Sequence, residues 1–123
     1  MDEVSLALIV EDDPDLAEIF SAALTLAGFS VEAIGNGVDA LARLQSIEPS
    51  VIVLDMHLPG ISGIEILRQV REDPRLSSAR VIASTADARL AETLEEKADL
   101  VLVKPVSFNQ LRDLALRLKR RDK

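Results

Sequence analysis

Short apolar segments alternate along the chain with segments whose apolar residues have helical spacing. The apolar segments are continuous, which is typical of strands that are buried on both faces of a parallel sheet. We place five strands at Leu6–Val10, Val31–Ile34, Val51–Leu54, Val81–Ala83 and Leu100–Val103. A helical pattern follows each strand. Five strand–helix units in series predict an α/β fold with a five-stranded parallel sheet, right-handed crossovers and helices on both faces.

Capping residues indicate where the predicted helices begin. Asp13 directly precedes Pro14, and the simplest interpretation makes it the N-cap of the first helix. Ser62 and Glu65 have the spacing of a capping box for the third helix. The remaining predicted helices follow Asn36, lie within Asp87–Lys97 and follow Ser107.

Composition and charge narrow the class of protein. The 123 residues fit one domain, and the absence of cysteine excludes disulfides and thiolate metal sites. No apolar run approaches the roughly 18 residues of a membrane span, and no signal sequence opens the chain. The net charge of −7 argues against direct binding of nucleic acid. We therefore expect a cytoplasmic protein that binds neither nucleic acid nor membrane.

Polar and charged residues follow four of the five predicted strands. In a parallel sheet of this class, ligands bind at the carboxyl ends of the strands. The residues at those ends are Glu11, Asp12 and Asp13 after the first strand, Asp55 after the third, Ser84 and Thr85 after the fourth, and Lys104 and Pro105 after the fifth. This convergence on one edge is the strongest functional signal in the sequence.

The acids at this edge predict a cation site. Glu11, Asp12 and Asp55 lie within a few ångströms of one another if the first and third strands are neighbours. Each like-charge pair at about 4 Å costs about 4 kcal/mol at an effective dielectric constant of about 20. One lysine cannot neutralise three acids, whereas Mg²⁺ binds to carboxylates, water and phosphate oxygens. We therefore predict Mg²⁺ as the cofactor.

The same residues suggest phosphoryl transfer. A carboxylate beside Mg²⁺ can attack phosphorus, and in-line displacement needs positive charge on the equatorial oxygens. Asp55, Lys104 and Thr85 supply a nucleophile, a cation and a hydroxyl donor. Each has a simpler interpretation when taken alone: Lys104 as a surface lysine, Thr85 as the cap of the fourth helix and His57 as a loop residue rather than a metal ligand. Their placement at the ends of alternate elements favours the functional interpretation.

The motifs LIVEDD, VIVLDMHLPGISG, VIASTA and LVKP occur in this order along the chain. With them the sequence resembles the receiver domain of bacterial two-component response regulators over essentially its whole length. The resemblance implies a CheY-like, flavodoxin-like sheet with strand order 2-1-3-4-5. The likeness predicts that residues 1–123 form a single receiver domain. With no effector domain expected after Lys123, the chain is either a stand-alone receiver or an excised piece.

The resemblance further implies how the phosphorylation site works. Asp55 would accept a phosphoryl group from a sensor histidine kinase or a histidine phosphotransfer protein. Asp12 and Asp55 would bind Mg²⁺ through their side chains, Glu11 through a water molecule, and His57 through its backbone carbonyl. Such a domain is not an enzyme in the ordinary sense, because it carries out only its own phosphotransfer and a slow autodephosphorylation.

Roles outside the cation site also follow from the resemblance. Thr85 and Lys104 would hold the phosphoryl oxygens, and Pro105 would follow Lys104 in a cis peptide bond. Thr85 would also act as a switch residue. His57 and Asp87, two positions after Asp55 and Thr85 respectively, would tune the lifetime of the phosphoryl group.

Two departures from the family bear on signalling to the downstream protein target. Val101 is three residues before Lys104, where the family often has Tyr or Phe and where the second switch residue lies. The segment from Thr85 to Lys104 also looks short, by roughly one turn of the fourth helix. A valine has no ring to reorient and few rotamers. We therefore expect a monomer or a weak dimer after activation.

Three other functions fit the residues less well. A flavodoxin-like electron carrier would need a Ser-, Thr- or Gly-rich phosphate loop after the first strand, where this chain has three acids. A Mg²⁺-dependent aspartyl phosphatase would have an Asp-x-Asp nucleophile after that strand, which EDDPD fits poorly. The third is a receiver-like scaffold that is never phosphorylated, and the complete set of site residues argues against it.

Overall fold

The computed structural model describes the backbone of residues 5–121 and the side chains of residues 5–117. Five strands form one parallel sheet in the order β2-β1-β3-β4-β5. The strands are β1 Leu6–Val10, β2 Ser30–Ile34, β3 Val51–Asp55, β4 Arg80–Thr85 and β5 Leu100–Val103. This architecture confirms the predicted fold class and strand order.

Five α-helices cover the two faces of the sheet. They are α1 Pro14–Leu26, α2 Gly37–Leu44, α3 Gly63–Glu72, α4 Ala88–Leu94 and α5 Phe108–Arg121. Helices α1 and α5 pack on one face, and α2, α3 and α4 pack on the other, each around its own apolar core. A short 3₁₀ helix, Pro74–Leu76, precedes β4 and was not predicted. Within residues 5–121, no helix has both the length and the apolar character needed to cross a bilayer.

Most predicted helix caps are confirmed. The Asp13 side chain accepts hydrogen bonds from the first turn of α1, and the Asn36 side chain does the same for α2. Ser107 Oγ accepts the backbone N–H of Gln110, 3.1 Å away, at the start of α5. These side chains satisfy N–H groups that have no partner within the helix.

One predicted cap, and the simpler interpretation of Thr85 as a cap, differ from the structure. Ser62 Oγ accepts the backbone N–H of Glu65, but the Glu65 carboxylate binds the Arg68 guanidinium instead of completing a capping box. Helix α4 is capped by Asp87 and not by Thr85. The Thr85 side chain is fully buried and belongs to the site described below.

The expectation that all strands are buried on both faces is wrong for the two edge strands, β2 and β5. In β5 only Leu102 is buried, and Val103 is exposed. Ser30 and Ala33 are exposed, and the other three residues of β2 are only half-buried. The cause is the position of both strands at the edges of the sheet. A short run that is largely apolar, which in β2 includes Glu32, therefore identifies a strand here but does not distinguish a central strand from an edge strand.

Candidate functional site

The sheet order brings the carboxyl ends of β1, β3, β4 and β5 next to one another. Neighbouring strands are in register at these ends, where the partners are Val10 with Leu54, Asp55 with Ser84, and Thr85 with Val103. The residues that follow the strands, or end them, therefore meet at one edge, as predicted.

Three carboxylates form a cluster at this edge. Glu11, Asp12 and Asp55 each offer an oxygen atom, and these atoms lie within 4.8 Å of one another. Glu11 and Asp55 are each only 3% exposed, whereas Asp12 is exposed. Backbone N–H groups hold the two buried side chains: Asp13 N lies 3.2 Å from Glu11 Oε2, and His57 N lies 3.1 Å from Asp55 Oδ1.

The Lys104 ammonium lies between the two buried acids. Its Nζ atom is 3.3 Å from Glu11 Oε1 and 3.5 Å from Asp55 Oδ1. Both distances exceed the roughly 2.7–2.9 Å of a short charge-assisted hydrogen bond. Glu11 Oε1 in fact makes no aligned hydrogen bond with any described residue, so its contact with Lys104 is one of charge proximity. One ammonium thus partly neutralises three acids.

Burial raises the pKa of Glu11 to about 7. The backbone N–H of Asp13 acts in the opposite direction, the nearby Asp55 carboxylate raises the pKa further, and Lys104 lowers it. At neutral pH the Glu11 carboxyl is therefore only partly ionised. A bound divalent cation would favour its fully ionised form.

This donor set fits a hard divalent cation. Its side-chain ligands are all carboxylate oxygens, one of them is a buried oxygen without an aligned donor, and the exposed Asp12 leaves access from solvent. Mg²⁺ prefers such ligands and keeps several water molecules. The chemistry of the residues is thus in accord with the predicted magnesium site.

Thr85 lies beside the acids at the end of β4. Its hydroxyl oxygen accepts the backbone N–H of Asp87 and contacts His57 Nε2, each at 3.0 Å. The contact with His57 was not anticipated from the sequence, because the two residues are 28 positions apart and the loop after β3 decides where the ring lies. Nothing in the local sequence signals it.

The remaining predicted site residues have defined places. The Lys104–Pro105 peptide bond is cis, as the resemblance implied. Val101 is half-buried in β5, opposite Ala83, and packs on the core beneath α3 and α4. The exposed Asp87 caps α4 by accepting the backbone N–H groups of the second and third residues after it, at 2.9 and 3.2 Å.

Close packing at Gly63 holds the loop between β3 and α3 in place. A Cβ atom added at Gly63 would lie 2.2 Å from the backbone oxygen of Asp55 and 2.6 Å from Cα of Met56. Met56 N donates to the Ser84 backbone oxygen at 3.0 Å, which ties the loop to β4. The position of His57 thus depends on a contact that only glycine allows.

Comparison with known proteins agrees with this geometry. Residues 7–116 match the response regulator receiver domain family. The DNA-binding response regulator MtrA of Mycolicibacterium smegmatis is 35% identical over 104 residues, which cover 85% of this chain and 46% of that protein. The transcriptional regulatory protein AfsQ1 of Streptomyces coelicolor is 36% identical over 99 residues, which cover 80% of this chain and 44% of that protein. The chain spans about half the length of the curated relatives it matches.

Solved structures show the same fold. The chemotaxis response regulator CheY4 of Vibrio cholerae aligns with a TM-score of 0.84 and 25% identity, over 94% of this chain and 99% of that one. The signal receiver domain of a signal transduction histidine kinase from Syntrophus aciditrophicus aligns with a TM-score of 0.84 and 31% identity, over 98% of this chain and 93% of that one. Strand order, acidic cluster and sequence match agree, and the chain belongs to the response regulator receiver domain family.

Proposed function

We propose that Asp55 is the residue that accepts the phosphoryl group, in a Mg²⁺-dependent reaction. The observation that carries this proposal is the position of the Asp55 carboxylate. It is nearly buried, it belongs to the acidic cluster, and it lies 3.5 Å from the Lys104 ammonium. Asp12 is exposed, and Glu11 has a raised pKa that makes it a poorer anion at neutral pH.

In the proposed transfer, a carboxylate oxygen of Asp55 attacks the phosphorus atom of the donor. A P–O bond forms as an acyl phosphate, and the bond from phosphorus to the donor's leaving group breaks. Lys104 offsets negative charge on the phosphoryl oxygens, and the Thr85 hydroxyl donates a hydrogen bond to one of them. Asp55 is the one residue of this chain that forms a covalent bond in this step.

The cation would be held by Asp12 and Asp55 through their side chains, by Glu11 through a water molecule and by the backbone carbonyl of His57. When bound, Mg²⁺ supplies the positive charge that neutralises both the acidic cluster and the oxygens of the transferring phosphoryl group. The role of this chain is to hold its oxygen ligands close together at the edge of a rigid sheet.

We propose a sensor histidine kinase or a histidine phosphotransfer protein as the donor, and a protein as the downstream target. MtrA is described as DNA-binding and is about twice as long as this chain. The net charge of −7 supports the proposal that the segment described here does not itself bind nucleic acid.

We also propose that activation leaves this domain a monomer or a weak dimer, since Val101 has no ring to reorient. Light scattering with and without beryllofluoride and Mg²⁺ tests this. A micromolar dimer that is lost on mutation of Arg89 or Arg112 would contradict it.

Intact-mass measurement after incubation with acetyl phosphate and Mg²⁺ tests the phosphoacceptor. Wild-type protein should gain about 80 Da, the mass of one phosphoryl group, and EDTA should prevent the gain. Asp55→Asn should abolish it, and Asp99→Asn, which changes an aspartate outside the site, should retain it. An equal gain in Asp55→Asn would refute the assignment. No gain in wild type would favour the alternative of an unphosphorylated scaffold.

A further inference from the structure

The His57 imidazole and the Thr85 hydroxyl form a contact that the proposed transfer does not use. Nε2 and Oγ1 are 3.0 Å apart, and Thr85 is fully buried, so its hydroxyl has no access to bulk water. His57 also donates its backbone N–H to Asp55 Oδ1, 3.1 Å away. One exposed loop residue thus contacts both the proposed phosphoacceptor and the hydroxyl that is to bind the phosphoryl group.

The groups around Thr85 Oγ1 determine the direction of this hydrogen bond. A hydroxyl has one proton to donate and two lone pairs. The backbone N–H of Asp87 already occupies one lone pair. Among residues 5–117, Nε2 of His57 is the one acceptor in contact with this hydroxyl. A buried O–H group without an acceptor costs free energy, so the Thr85 hydroxyl donates its proton to Nε2. An Nε2 atom that accepts a hydrogen bond has no proton of its own. The proton of the neutral imidazole is therefore on Nδ1.

We propose that His57 is a positioning residue that holds the Thr85 hydroxyl in the unphosphorylated protein and releases it when Asp55 is phosphorylated. The inference rests on the proposed function, in which Thr85 donates its proton to a phosphoryl oxygen. Because the hydroxyl has a single proton, it cannot donate a hydrogen bond to Nε2 and to a phosphoryl oxygen at the same time. The contact between His57 and Thr85 therefore stabilises the unphosphorylated protein relative to the phosphorylated one. After release, the imidazole can bind water, because His57 is exposed.

His57→Ala is a selective way to remove this contact. It deletes the imidazole and keeps the backbone N–H that Asp55 accepts, along with the backbone carbonyl assigned to the cation. Without the imidazole, the unphosphorylated state loses its acceptor for the Thr85 proton. Beryllofluoride with Mg²⁺ stands in for the phosphoryl group, and we expect it to bind about twofold to tenfold more tightly to the variant, the effect of one neutral hydrogen bond.

The direction of the hydrogen bond can be tested in the free protein by NMR. The chain has a single histidine, so the two imidazole nitrogens are assigned without ambiguity. At alkaline pH, ¹⁵N spectra of the ring should show the proton on Nδ1. Thr85→Val, which removes the hydroxyl and keeps the side-chain shape, should change the tautomer population. A proton on Nε2 in wild type, or a population that Thr85→Val does not change, would overturn the proposal.

A double-mutant cycle tests the competition itself. Beryllofluoride affinity is measured in the presence of Mg²⁺ for wild type, His57→Ala, Thr85→Val and the double variant. Tighter binding in His57→Ala that disappears in the Thr85→Val background supports the proposal. His57→Gln, whose amide oxygen offers an acceptor, should restore affinity toward the wild-type value.

In the binding cycle, two results would overturn the positioning role alone: unchanged or weaker binding in His57→Ala, or the same tightening with Thr85→Val present. A wild-type protein that does not bind beryllofluoride would overturn the proposed function, and this inference with it.

Discussion

The ammonium of Lys104 lies 3.5 Å from Oδ1 of Asp55 and is the positive charge that faces the acidic cluster in the described part of the chain. It also lies 3.3 Å from Glu11 Oε1, so two nearly buried carboxylates depend on it. Asp12 adds a third negative charge at the solvent side. The site therefore has excess negative charge without a metal ion, and this imbalance has measurable consequences for stability.

Replacing Lys104 by methionine should destabilise the protein in EDTA. Glu11 and Asp55 would lose their counter-charge, and we expect the free energy of unfolding to fall by about 1–3 kcal/mol. Adding Asp55→Asn to this variant should restore part of the loss, because it removes one of the repelling charges. Urea unfolding measures both effects.

Lys97→Met is the matched control, because Lys97 is exposed and outside the site. It should change the stability by less than about 0.5 kcal/mol. An equal effect of the two lysine substitutions, or no recovery in the Asp55→Asn double variant, would contradict this account of the charges.

Gly63→Ala should disturb both the fold and the cation site. The new Cβ would lie 2.2 Å from the backbone oxygen of Asp55, so the backbone must move. We expect a loss of about 1–3 kcal/mol in the free energy of unfolding, the usual cost of overpacking, together with weaker Mg²⁺ binding in calorimetry. Gly35→Ala is the control, since its Cβ would lie at an ordinary 3.9 Å from Glu11 O. Equal stability of the two variants would show that the contact between Gly63 and the Asp55 backbone does not require glycine.

The ionisation of Asp99 should make the free energy of unfolding depend on pH in the acidic range. Burial acts to raise the pKa of Asp99, but the Arg71 guanidinium and the backbone N–H of Val81 outweigh it and hold the pKa below its ordinary value. The two groups lie 2.8 and 2.7 Å from Oδ2. Since the pKa is lower in the folded state, Asp99 stabilises the fold above the unfolded-state pKa of about 3.9, and this contribution is lost as the pH falls through the folded value.

Asp99→Asn should therefore lower stability near neutral pH, and the difference from wild type should shrink below about pH 4. Solvent screening keeps the effect modest, because the Asp99 side chain is 43% exposed. Urea unfolding at several pH values provides the measurement, and Asp113→Asn, at a more exposed ion pair, is the control. A difference that stays constant from neutral to strongly acidic pH would contradict the assignment.

Asp87 should affect the lifetime of the phosphoryl group. We predict that Asp87→Ala changes the dephosphorylation rate at least about threefold, a barrier change near 0.65 kcal/mol. The structure adds a complication, because the carboxylate also caps α4, and its loss typically costs about 1 kcal/mol of stability. Asp87→Ser keeps a capping side chain and removes the charge. A changed dephosphorylation rate in both variants would assign the effect to the charge of Asp87. Equal decay in wild type and both variants would contradict a role of Asp87 in the lifetime of the phosphoryl group.

Much of the fold follows directly from local patterns in the chain. Short runs of mainly apolar residues located all five strands, and β1 and β5 have the predicted bounds. Strand β4 extends beyond the predicted run to Arg80 at one end and Thr85 at the other, because pairing with β3 and β5 continues through polar residues. The order of the strands came from resemblance to a family, since local sequence does not record which strand pairs with which.

The acidic cluster was also predictable. Parallel strands place their carboxyl ends at one edge, so Glu11, Asp55 and Lys104 are expected to converge once the strand order implied by the resemblance is added. The distances between their side chains come from the tertiary structure, in which β1 and β3 are paired neighbours.

Only the tertiary structure decided three other features. The edge position of β2 leaves Ala33 exposed, although three of the four residues in the predicted run are apolar. Glu65 accepts hydrogen bonds from the Arg68 guanidinium rather than from the backbone N–H of Ser62, so an exposed ion pair forms in place of the capping box. The contact of His57 with Thr85 joins residues far apart in the chain. It depends on the path of a loop held by the backbone contact at Gly63, and a pattern of apolar and polar residues contains no information about such a path.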